Sequence, residues 1–119
     1  MQDFRNLKVW EKAHALTLDV YRNTREFPVN ERYGLTSQLR RSCASVPANL
    51  AEGCARASGI DFARFVNNAA GSASETDYHL LLARDLEYLS EPMYLPLFEQ
   101  ISEVKRMLNS FERKLRGLS

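Results

Sequence analysis

Long apolar runs are missing from this sequence. No stretch is long and apolar enough to cross a bilayer, and Met1-Gln2-Asp3-Phe4-Arg5 lacks the apolar core of a signal peptide, so a cytoplasmic protein outside the membrane is expected. Histidine and cysteine are scarce, at two residues each. Cys43 and Cys54 stand eleven positions apart, which fits neither a CxxC redox pair nor a zinc knuckle. Both are expected to be reduced, buried side chains. Four prolines and five glycines are too few for a loop-rich fold and favour long regular elements. No GxSxG, P-loop or GxGxxG motif occurs, and no segment alternates with the two-residue period of a strand. An excess of one charge is missing as well. Sixteen basic residues face fifteen acidic ones, whereas dedicated nucleic-acid binders carry a clear cationic surplus. The small asymmetry lies in the first half: residues 1–64 hold ten basic and seven acidic residues, residues 65–119 six and eight.

What remains is helical periodicity. With 45% apolar and 26% charged residues over 119 positions, the composition is that of one folded domain. The first pattern runs from about Lys8 to Glu26. Leu7, Trp10, His14, Thr17 and Tyr21 form one stripe, and Val9, Ala13, Leu16, Val20 and Phe27 an adjoining one. Phe27-Pro28 ends it. Asn30 suits the N-cap of a second helix, whose face is Leu35, Leu39, Cys43, Val46, Leu50 and Cys54. Pro47 interrupts this pattern, and its missing N–H and its clash with the Cys43 carbonyl predict a kink costing ~3 kcal/mol. The alternative is two shorter helices with a break near Ser45.

Ser58 and Asp61 resemble a capping box for a third helix, with Phe62, Phe65, Val66, Ala69, Ala73, Leu80, Leu81 and Leu89 on its face. Its run Ala69-Ala70-Gly71-Ser72-Ala73-Ser74 admits close approach of another backbone, in preference to a ligand. Ser90 and Pro92 open a fourth helix. Tyr94, Leu97, Ile101, Val104, Leu108, Phe111, Leu115 and Leu118 form a heptad seam there, and Gly117 is its stop. Four amphipathic segments with short connections predict an all-α, antiparallel up-down-up-down four-helix bundle, one domain over 1–119.

Candidate chemistry is sparse. His79 has Glu75 one turn earlier and Asp77 nearby, but the Glu-x-x-His motif of a bundle di-metal centre is missing, because Thr76 stands three residues before His79. No catalytic residue, metal site or cofactor is therefore assigned. Ser45 and Asn49 are expected to bond backbone carbonyls freed at Pro47, and Glu52 to pair with Arg56 one turn on. Arg32, Arg40, Arg41, Arg56 and Arg64 are the densest basic set. If they converge they can hold phosphates; the alternative is a solvated face.

Arg32-Tyr33-Gly34-Leu35-Thr36-Ser37-Gln38-Leu39-Arg40-Arg41, running into Ser45-Val46-Pro47-Ala48-Asn49-Leu50-Ala51-Glu52-Gly53, closely resembles the signature of the 23S rRNA intervening-sequence proteins, also called the four helix bundle protein family. Phe4-x-x-Leu7-x-Val9-Trp10-x-Lys12-Ala13 and Leu80-Leu81-Leu82-Ala83-Arg84 are similar to further parts of that family. The resemblance covers nearly the whole chain. It implies a bundle without known enzymatic activity, encoded in some relatives within insertions in bacterial large-subunit rRNA genes. More distantly, it implies likeness to the accessory variability determinant of diversity-generating retroelements, which binds reverse transcriptase and nucleic acid through a basic pentameric ring. A homopentamer is implied here.

The expected function is accordingly a non-enzymatic oligomeric scaffold that engages RNA or a ribonucleoprotein through Arg32, Arg40, Arg41 and Arg56. The motif residues Ser45, Pro47, Asn49, Glu52 and Gly53 are structural in this reading. The alternative is a protein–protein scaffold anchored by Trp10, Tyr33 or Tyr94. A remoter one is a metal-binding bundle around Glu75, His79 and His14.

Overall fold

The computed structural model describes residues 2–117, and these form four long helices: α1 (Lys8–Asn23), α2 (Leu35–Cys54), α3 (Gly59–Asp85) and α4 (Glu91–Leu115). Short 3₁₀ turns over Phe4–Asn6 and Val29–Glu31 precede α1 and α2. Among the described residues there is no strand. Each helix packs on its neighbours in chain order, and α1 closes the ring against α4, while the diagonal pairs stay apart. Side-chain contacts fix the directions. Thr17 meets Cys43 and Thr24 meets Arg40; Ser72 meets Ser45 and Thr76 meets Ser42; Asp77 meets Lys105 and Arg84 meets Glu91; Asp19 meets Gln100 and Lys12 meets Glu103, so in every adjacent pair one helix is read forwards as the other is read backwards. The result is the expected up-down-up-down bundle, 43 × 24 × 20 Å.

The apolar stripes meet in one core. Val9, Ala13, Leu16 and Val20 of α1, Leu39, Val46 and Leu50 of α2, Val66, Ala73 and Leu80 of α3, and Leu97, Ile101, Val104 and Leu108 of α4 are all buried. The broader α1 face is realised in part: Thr17 is buried and Leu7 and Trp10 pack half-buried on the core. His14 and Tyr21 are exposed, and His14 lies flat on Trp10, ring centroids 4.9 Å apart. Tyr94 is core, at 5% exposure, and so is removed from the candidate surface anchors. Leu89 is buried beyond α3, in the connection to α4. Leu118 lies outside the described residues.

The boundaries follow local chemistry. The Ser58 hydroxyl accepts the Asp61 N–H at 3.1 Å and caps α3. α3 ends in a Schellman turn: Tyr88 N donates to the Ala83 carbonyl, Glu87 N to that of Arg84, and Glu87 takes the left-handed φ of 65°. Gly117, at φ 75°, follows α4. α1 stops at Asn23, with Thr24 as its C-cap, before the expected Glu26. α2 starts at Leu35 rather than after Asn30, which lies in a 3₁₀ turn. There the Glu31 carboxylate accepts the Leu35 N–H at 3.1 Å and the Tyr88 hydroxyl at 2.8 Å. These two bonds hold its pKa below the usual carboxylate value.

α2 continues without interruption through Pro47 to Cys54, so the alternative of two shorter helices falls. Proline has no N–H for the Cys43 carbonyl four residues back. The Thr17 hydroxyl, reaching from α1, is 2.8 Å from the Ala13 carbonyl and 3.4 Å from that of Cys43. It acts as a shared donor whose weaker branch serves the orphaned group. Asn49 donates to the Ser45 carbonyl at 2.9 Å and to the Ser45 hydroxyl at 3.0 Å.

Candidate functional site

The bundle brings arginines from α2 and from the connection that precedes it to one flank. A groove of about 810 Å³ runs between the end of α1 and the outer side of α2. Arg25, Arg32, Arg40 and Arg41 line it, together with Tyr21, Thr24, Thr36, Ser37, Ala44, Ser45 and Ala48, and no acidic residue does. Spacing explains the α2 contribution. Within α2, residues 36, 40, 44 and 48 recur every four positions, and 37, 41 and 45 form the adjacent row, so both rows face the same side; Arg32 reaches the groove from the turn before the helix.

Among the described residues, lack of a carboxylate partner is shared with Arg106 and Arg113, but only these four arginines line the groove. Arg5, Arg22, Arg56, Arg64, Arg84 and Arg116 each lie within 4.0 Å of a carboxylate. Among the described residues none of the four groove arginines has such a partner. Arg40 is fixed by neutral groups: its Nε donates to the Thr24 hydroxyl at 2.8 Å, and its guanidinium lies 4.7 Å from the Tyr21 ring centroid. A held cation keeps its full charge and loses little freedom when an anion arrives.

Arg32, Arg40 and Arg41, three of the four arginines expected to act together, therefore share one site. Arg56 does not. It is paired with Glu52 at 3.1 Å and stacked over Phe65. Arg64 pairs with Asp61. Arg25 was not foreseen, because it follows α1 and meets the α2 rows only through the fold. Val29 and Tyr33, at 82% and 88% exposure, project from the same connection. Trp10 is half-buried between Phe4 and His14.

Behind the groove lies a ladder of polar side chains between α2 and α3. Ser72 donates to the Ser45 hydroxyl at 2.9 Å. Thr76, fully buried, lies 2.8 Å from the Ser72 carbonyl and 3.1 Å from the Ser42 hydroxyl. Ser42 is 3.2 Å from His79 Nδ1. His79 is 6% exposed. Burial pushes its pKa below the ordinary value, with Glu75 opposing and Arg41 reinforcing the shift. The small residues of α3 serve this contact: Ala69 and Ala73 are buried, whereas a Cβ on Gly71 would meet nothing within 4 Å. Gly53 of α2 sits under Phe62 and Phe65.

The Cys43 thiol is buried and its pKa is pushed up by that burial to about 11, so it carries no thiolate near neutrality. Among the described residues no three His, Cys, Asp or Glu side chains gather as a metal site, and no helix is long and apolar enough to cross a membrane.

A ring of four antiparallel helices with an unpaired cationic groove on one flank defines the class: a helical bundle whose distinguishing chemistry is on its surface, not in its core. The model of the 23S rRNA-intervening sequence proteins matches residues 5–110, and the chain belongs to that family. It is similar to a protein of unknown function from the S23 ribosomal protein family of Bacteroides thetaiotaomicron, whose crystal structure superposes with a TM-score of 0.79. The two are 29% identical, and the match covers 88% of this chain and 98% of that one. No curated protein matches the chain.

Proposed function

We propose that this protein is a non-enzymatic RNA-binding scaffold that takes the phosphate backbone of a structured RNA into the groove between α1 and α2. The observation that carries the reading is the set Arg25, Arg32, Arg40 and Arg41, gathered on one groove and without carboxylate partners, in a chain whose formal net charge is only +1. Among the described residues six of the other eight arginines lie beside a carboxylate, and these four stand together in one groove, which concentrates the charge available to a nearly neutral protein. Assembly into a homo-oligomer, a pentamer as the family resemblance implies, would repeat the groove and add avidity.

Binding of a structured RNA, followed by fluorescence anisotropy across a salt series, tests this. Four phosphate contacts predict that log affinity falls against log salt with a slope of about −3. Absent or salt-insensitive binding would refute the reading.

A second reading, a protein-binding scaffold, is favoured by Val29 and Tyr33. Two large side chains this exposed form a ready contact for a partner. Loss of partner capture on Tyr33→Ser, with RNA affinity unchanged, would support it.

A further inference from the structure

The turn ahead of α2 presents a tyrosine that the fold does not use. Tyr33 is 88% exposed, and Val29, one turn earlier, is 82% exposed. The backbone that carries Tyr33 is nevertheless held on both sides. Arg32 N–H donates to the Val29 carbonyl at 3.1 Å, and Gly34 N–H to the Glu31 carbonyl at 3.0 Å. The Glu31 carboxylate accepts the Leu35 N–H and the Tyr88 hydroxyl. A Cβ on Gly34 would stand 2.7 Å from that carboxylate, so the glycine after Tyr33 keeps the brace in place. An aromatic ring mounted on a braced turn loses little freedom when a partner covers it.

The surroundings of Tyr33 define the chemistry of that partner. Arg32, the preceding residue, lines the groove with Arg25, Arg40 and Arg41, and no acidic residue does. Tyr21, the other tyrosine of this flank, is already engaged, because the Arg40 guanidinium lies over its ring. Tyr33 is therefore the open aromatic face beside the unpaired cations. A protein partner would have to bring an apolar pocket and separate anions to this flank, whereas a nucleic-acid strand carries base faces and phosphates together. A cationic groove for the backbone with a ring for the bases is the arrangement that binds unpaired strands. In a duplex each base is covered by its neighbours, and no base face is left for a side chain.

Resting on the RNA-binding reading above, we propose that the RNA segment taken by this flank is unpaired, the loop of a hairpin, with one of its bases stacked on Tyr33. Arg32 and the groove arginines hold the flanking phosphates. Stacking accepts any base, so the platform selects unpaired over paired RNA and does not read sequence.

Two RNAs with equal numbers of phosphates test this: a hairpin whose loop carries the fluorescent base aminopurine, and a blunt duplex. Wild-type protein is expected to bind the hairpin about tenfold more tightly, within what stacking of one base is worth, and to quench the aminopurine emission. Tyr33→Ser should lose that tenfold and the quenching, while Tyr33→Phe, which keeps the ring, should retain both. At this exposure neither substitution removes a core contact, so both variants should fold like the wild type. Equal wild-type affinity for hairpin and duplex overturns the assignment to an unpaired segment while leaving the groove as an RNA site. Tyr33→Ser that binds and quenches as wild type overturns the platform and leaves Tyr33 to a protein partner. Tyr33→Phe that fails like Tyr33→Ser overturns stacking by the ring. Failure of the wild type to bind either RNA overturns the RNA reading and the platform with it.

Discussion

Gly53 lies so close beneath Phe62 that a Cβ placed on it would stand 2.8 Å from the ring's Cδ1, with Phe65 Cβ at 2.9 Å on the other side. The glycine of the family motif is thus a packing requirement between α2 and α3. Gly53→Ala gains about 1 kcal/mol in helix propensity, but overpacking costs about 1–3 kcal/mol. Phe65 Cβ cannot turn aside, so the cost should win. A lower urea midpoint at unchanged slope is the expected result.

Thr17 and Pro47 should be coupled, although they sit on different helices. Thr17→Val removes the hydroxyl shared between the Ala13 and Cys43 carbonyls, at a cost of about 1 kcal/mol. In a Pro47→Ala background the new N–H can serve Cys43 itself, and the cost of Thr17→Val should shrink. A double-mutant cycle measures the difference; strict additivity would mean that Thr17 does nothing for the proline site.

Glu87 occupies a backbone conformation that suits glycine, with φ at 65°. Glu87→Gly should relieve about 1 kcal/mol. The expected rise in melting temperature is ~4 °C for a domain of this size, readable by calorimetry.

His79 gives stability a pH dependence of defined sign. Its imidazole is buried among Ser42, Glu75 and Arg41, and its folded pKa lies below the ordinary 6.5. The unfolded chain therefore takes up the proton first as pH falls. The His79 contribution is complete above about 6.5 and is lost as pH drops from there toward the folded value. Urea midpoints from about pH 7.5 to about 5.5 should decline, and His79→Gln should flatten the decline.

The groove predicts unequal arginines. Arg41→Gln should weaken RNA binding and reduce the salt slope by about 1. Arg56→Gln, which removes a residue already paired with Glu52, should leave both unchanged. Equal effects would move the interface away from the groove.

Much of this arrangement is legible in the chain itself. The stripe from Val9 to Val20 and the seam from Tyr94 to Leu108 are long and regular, and both are buried as their periods require. The start of α2 was hidden, because Asn30 is a good cap by type. The position was decided by the Glu31 carboxylate and the distant Tyr88 that holds it, a contact across 57 positions. Arg40 and Arg41 are visible as a pair on α2, and Arg32 as their neighbour in sequence just before that helix. Arg25 joins from the end of the preceding helix, which no spacing rule within one element reveals. Arg56 looked equivalent by composition, but it lies beyond the end of α2 and is paired.

Greasy seams set how strongly two helices adhere but only loosely where one stops along the other. The hydroxyl rungs joining Ser45 to Ser72 and Ser42 to Thr76 act differently, because displacing α3 by one turn would break the half-buried first rung and strand the second in a dry interior. They work like the pin of a vernier, locking the longitudinal setting of α3 against α2. The arginine flank is carried on the outer side of α2, so the alignment of that flank with the rest of the molecule is set from within.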